Sequence, residues 1–148
     1  MCMMFHMATK INVPKIEWNK DLPAFNISDL SEVNKDVLTH FNLPYVSYIG
    51  SDESCGCGFK HALMQDGQWF PVIDSENSDD GFKNQKQLFD FIKGNLIDQE
   101  FIEIYGCWDG DFAELSQDKQ EIELNDLLDP EFYFKERGLY IVKIKNNC

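Results

Sequence analysis

A chain of 148 residues, 43% hydrophobic and 14% aromatic, carries enough apolar material for one core and needs neither metal nor disulfide to fold. Its 26 Asp and Glu against 13 Lys and Arg leave a formal charge of -13, the wrong sign for tracking a phosphate backbone, while 12 Phe set it apart from acidic disordered chains. No stretch reaches the roughly 18 consecutive apolar residues of a membrane helix, and the first residues lack the charged and long apolar regions of a signal peptide, so a cytoplasmic protein without a membrane partner is expected.

Residues 1–9 read as a flexible N-terminal extension, because Met7-Ala8-Thr9-Lys10 looks like a start in its own right. Cys2 and His6 receive no role on this reading, and residues 10–148 form the single domain. From Lys10 to Phe25 the chain is extended, with Ile11, Val13, Ile16 and Trp18 interrupted by Pro14 and Pro23, which confines it to an edge strand or an irregular arm. Ser28 to Glu32 supplies helix-start residues, and Val33, Val37, Leu38 and Phe41 follow at helical spacing. The helix expected over 31–41 stops at Asn42 and Pro44, since the residue before a proline is pushed away from helical geometry. His40, at its end, suits the negative end of the helix dipole.

Tyr45 to Gly50 reads as a strand covered on both sides, and Phe59 to Leu63 as its return, closing a hairpin whose loop holds Asp52, Glu53, Cys55 and Cys57. Asp66-Gly67 is a turn before Trp69-Phe70. Phe82, Phe89, Ile92 and Leu96 share one face of a helix through about Asn95, with Lys83, Lys86 and Lys93 on the rest. Glu100 to Trp108 alternates as a strand, placing Phe101, Glu103, Tyr105 and Cys107 on one face, and it ends at Asp109-Gly110. Further extended runs cover 120–124, 131–135 and 139–145, the last two joined as an antiparallel hairpin at Arg137-Gly138. Strands broken by two helices, with hairpins in place of regular βαβ units, give an α+β fold: one domain, a mostly antiparallel sheet, and about two helices packed on one face.

Five Cys is an odd number, and with no secretory signal it argues for free thiols. Cys55 and Cys57 lie at i and i+2, on one face of an extended chain. With His61 four residues on and Cys107 from another strand they make a Cys3His set of the kind zinc prefers. Two further readings stand beside this zinc site. In one, Cys55-Gly56-Cys57 is a reversible disulfide whose thiol pKa is lowered by Lys60 and His61 and raised by Asp52 and Glu53. In the other, the cysteines are small apolar residues packed in the core, and no cofactor is needed. No nucleophile elbow, phosphate loop or dinucleotide fingerprint occurs, so an enzyme is disfavoured and no catalytic residue is assigned.

From Asp98 to Glu131 there are twelve acids and one base, Lys119. Such a run is a solvated surface or a face that attracts a basic protein partner. The Cys55-Gly56-Cys57-Gly58-Phe59 segment after its Tyr-rich strand resembles one found in small uncharacterised bacterial proteins, a resemblance of about a dozen residues that implies no activity. By composition the chain is similar to small acidic inhibitors and immunity proteins, which neutralise basic nucleases or other toxins. That similarity implies a non-catalytic acidic binding protein.

Overall fold

Met3–Thr9, expected to be a flexible extension, forms an inner strand of the main sheet, β1. Met3, Phe5, Met7 and Ala8 are buried along with His6 and Thr9, so this strand has no solvent face and therefore no polar alternation in its sequence. The computed structural model describes residues 3–17, 25–30, 32–51, 59–71, 78–108, 112 and 118–144. After β1 come β2 (Asn26–Asp29), a 3-10 helix (Glu32–His40), β3 (Tyr45–Gly50), β4 (His61–Gln65), β5 (Gln68–Pro71) and the helix α1 (Ser78–Leu96). Then follow β6 (Phe101–Trp108), β7 (Asp118–Glu123), a second 3-10 helix (Leu124–Leu128), β8 (Phe134–Lys135) and β9 (Gly138–Lys143).

The strands make a six-stranded sheet in the order β2-β3-β1-β6-β9-β7, antiparallel throughout except between β7 and β9. A three-stranded sheet, β5-β4-β8, packs beside it, with β4 and β8 parallel. The fold is α+β, a single domain with mostly antiparallel pairing. Among the described residues no helix is long and apolar enough to cross a membrane. The arm before β2 is irregular over 10–17 and is joined to β2 by a bridge, Ile16 to Ile27, through two backbone hydrogen bonds of 2.9 Å.

Both expected long hairpins give way to non-local pairing. β3 has β1 on one side and β2 on the other, so 59–63 cannot return against it and β4 joins the smaller sheet. The chain does turn at Arg137-Gly138, but there it crosses between sheets: β8 pairs with β4, and β9 runs between β6 and β7. Arg137 takes φ 54° and its amide donates to the Gly106 carbonyl at 2.7 Å, tying the crossing to β6. The Asp66-Gly67 turn forms as read, with φ of 51° and 77° at the two central positions of a tight hairpin.

One face of the large sheet is apolar. Leu88, Ile92 and Leu96 of α1, with Leu124 and Leu127 of the second 3-10 helix, pack on Phe5, Met7, Ile102, Ile104, Tyr140 and Val142. The abundant Phe are concentrated here: Phe5 meets Phe59 edge-on at 5.4 Å and Phe134 at 5.1 Å, and Phe25 meets Phe91 at 5.6 Å. Gly106 makes this possible, because a Cβ there would lie 2.4 Å from the Phe5 ring across the strand pair. The first 3-10 helix lies on the opposite face, where Val37 packs with Tyr105, Cys107, Phe112 and Leu139. The two helices expected together on one face therefore stand on opposite sides of the sheet.

Candidate functional site

Of the four residues proposed to hold zinc, Cys55 and Cys57 lie outside the described residues. Cys107 is buried in the cluster beneath the first 3-10 helix. His61 begins β4, and its ring meets Trp108 at 6.2 Å on the α1 side, where Trp108 packs against the main core. Successive residues of a strand point to opposite faces, so Cys107 and His61 are directed to opposite sides of the sheet. The His61 Nδ1–H donates to the Phe59 carbonyl at 2.8 Å; burial lowers the pKa of this ring, and the hydrogen bond partly offsets that. Among the described residues no group of three or more His, Cys, Asp or Glu is placed to hold a metal ion.

The face beneath the first 3-10 helix holds a polar layer that the sequence reading left without a role. Tyr48 of β3, His6 of β1 and Tyr105 of β6 are register partners in one row across the sheet. His6 is fully buried, edge-on to Tyr48 at 5.6 Å and to Phe112 at 5.8 Å. His40 closes the 3-10 helix by stacking on Tyr105 at 4.0 Å, and its Nε2–H donates to the Phe112 carbonyl at 2.7 Å. It is thus held by specific contacts in addition to any favourable interaction with the helix end. Burial, followed by the neighbouring His40, lowers the His6 pKa from 6.5 to about 4.

Glu103 stands on the same face and leaves the acidic run by being 1% exposed. Its Oε1 accepts the amides of Asn42 and Leu43, each at 2.9 Å, satisfying donors where the chain leaves the first 3-10 helix. Its Oε2 is buried with no hydrogen-bond partner among the described residues. The signal for this was in the alternation, which put Glu103 in line with Phe101, Tyr105 and Cys107.

The exposed acids gather elsewhere, at the β7 edge. Glu121 and Glu123 are exposed and stand opposite Ile141 and Lys143 in register, and Lys143 reaches Glu121 at 3.1 Å. The outer side of β7 pairs with no other strand among the described residues. The acids continue into the following segment, where Asp126 accepts the Glu123 amide and Asp129 the Glu131 amide, each at 2.9 Å, so these two also close local turns. Exposed Asp98 and Glu100 precede β6 at the same end of the sheet, where the Ile144 amide donates to the Glu100 carbonyl at 2.9 Å. Beside them a cleft of about 250 Å³ has apolar walls of Phe89, Ile97, Leu124 and Ile144, with Glu123, Lys93 and Lys143 at its polar side.

No protein-family model matches the chain, and searches of curated proteins and of solved structures likewise give no match.

Proposed function

We propose that the protein is a non-catalytic, cytoplasmic binding module that receives a basic protein partner on its β7 edge, as an immunity-type or inhibitory protein does. The observation that carries this reading is the coincidence of an outer β7 edge that pairs with no other strand among the described residues with exposed Glu121 and Glu123, continued by Asp126, Asp129 and Glu131. An unpaired edge offers backbone groups to an incoming strand, and the acids favour a strand bearing Lys or Arg and speed its approach. The same acids would set like charges against each other if two copies met through this edge. A phosphate backbone is repelled for the same reason.

The test is co-purification from the native host at about 50 mM salt, where screening is weak, followed by titration of the captured protein against rising salt. The expected partner is basic, bound less tightly as salt rises, and weakened by Glu121→Lys with Glu123→Lys. Capture of no basic protein, or binding insensitive to both salt and charge reversal, overturns the proposal. A basic toxin-like product encoded by the adjacent reading frame is the first partner to titrate.

A further inference from the structure

We propose that the cleft at the end of β7 is a socket for one apolar side chain of the basic partner, an aromatic or branched aliphatic anchor carried beside the Lys or Arg residues that meet Glu121 and Glu123. Such a socket, which presupposes the β7-edge reading, supplies what charge lacks, a means of choosing one basic protein among many. Its walls come from three elements that end together: Phe89 of α1 with Ile97 just beyond it, Leu124 after β7 and Ile144 after β9. Phe89 and Leu124 are each 8% exposed and Ile97 is 50% exposed, so an open apolar wall stands beside a covered apolar floor. The volume of about 250 Å³ lies below the roughly 300 to 1,000 Å³ of small-molecule sites and suits a single side chain.

Glu123 belongs both to the acidic edge and to the cleft, so the two surfaces are continuous. They lie on different sides of the sheet. Tyr140 and Val142 of β9 are in the core under α1, and their partners Gln120 and Ile122 share that side, while Glu121 and Glu123, opposite Ile141 and Lys143, share the other. An extended segment laid on β7 therefore turns its Lys or Arg to Glu121 and Glu123 and the side chains between them toward the α1 side, where the cleft opens past Leu124. Lysine decides what can enter. Lys93, with no ion pair among the described residues, stands over the Phe89 ring at 5.8 Å on the polar side of the cleft, and Lys143 beside it is held by Glu121 at 3.1 Å. A Lys or Arg side chain entering there would meet like charge, whereas an apolar one leaves water against Phe89, Ile97, Leu124 and Ile144. Pocketed apolar anchors ringed by polar contacts are where interfaces concentrate their binding energy.

The probes are two short capped peptides of alternating Lys and Thr, one with Trp and one with Ser in place of the central Thr. Each is labelled with fluorescein and titrated with the intact protein at about 50 mM salt, where attraction between charges is weakly screened. The Trp peptide should bind at least about tenfold tighter than the Ser peptide, and Ile97→Asp should remove that advantage. The sign separates the two accounts, because Ile97→Asp adds a negative charge and attraction by charge alone would hold both peptides as tightly or more so. Glu121→Lys with Glu123→Lys should weaken both peptides. Equal affinity for the two, each weakened by that charge reversal, overturns the anchor and leaves the edge reading standing; binding of neither overturns both. A Trp preference that survives Ile97→Asp also overturns the anchor. So does a natural protein that dimerises in sedimentation and shows no Trp preference while Ile97→Asp stays monomeric, a result that assigns the cleft to a second copy. Should the urea midpoint show that Ile97→Asp does not fold, Ile97→Ala reads the same loss of preference without a new charge.

Discussion

The two faces of the six-stranded sheet are built from different material. Beneath α1 the layer is aliphatic and aromatic, with Phe5 at its centre between Phe59 and Phe134. Beneath the 9-residue 3-10 helix the layer holds His6, Tyr48, Tyr105, Cys107 and Glu103, all buried. Apolar burial contributes stability that is insensitive to pH, whereas a buried titratable group stabilises only in one charge state. The first face should therefore set how stable the molecule is, and the second should set how that stability varies with pH.

Substitutions can break this contrast. Phe5→Ala removes the ring that fills the space over Gly106 and should destabilise the protein by about 3 to 5 kcal/mol, read as a lower urea midpoint with no change in its pH dependence. Glu103→Ala leaves the part-buried Asn42 and Leu43 amides without their acceptor and should destabilise by about 1 to 3 kcal/mol. Glu103→Gln keeps an acceptor and should recover part of that loss in the same titration.

The pH dependence sharpens the contrast. His6 has its pKa lowered from 6.5 to about 4 in the folded state, so the unfolded chain binds more protons between these values. Its contribution is present above pH 6.5 and is lost as pH falls toward 4, by up to roughly 3 kcal/mol. The lowered pKa of His61 acts in the same direction below 6.5. Urea titrations at stepped pH should give a shallower slope in His6→Gln than in the natural protein. The smallest expected effect is at the surface, where Glu121→Lys with Glu123→Lys should change stability by no more than about 0.5 kcal/mol.

What could be read from the sequence followed local period. α1, expected through about Asn95, runs Ser78–Leu96, and the strand expected over 100–108 is Phe101–Trp108, because α1 has one repeating apolar face and β6, although covered on both sides, alternates Ile102 and Ile104 with Glu103 and Tyr105. β1 escaped because both its faces are buried, so Met3 to Thr9 shows no alternation to mark it as a strand. The hairpin readings failed where pairing is non-local: β4 takes β8 from 73 residues away in sequence as its parallel neighbour, with His61 opposite Phe134, a partnership that no turn signal announces. His6 and His40 come within electrostatic reach of each other only because β1 and the 3-10 helix are brought together by the fold. Glu103 was hidden among acids that share its charge and not its burial.

The binding proposal is tested most directly by moving the same charge change from place to place. Glu121→Lys with Glu123→Lys on β7, and Glu17→Lys beside β2 with Asp36→Lys on the first 3-10 helix, alter net charge equally at exposed positions. Affinity for the captured basic partner is measured for both proteins at the same salt. The expected result is a loss of at least about tenfold, or roughly 1.4 kcal/mol, for the β7 pair and much less for the other. Equal losses would mean that overall charge alone attracts the partner, and an unchanged affinity in the β7 variant would contradict the assignment of that edge.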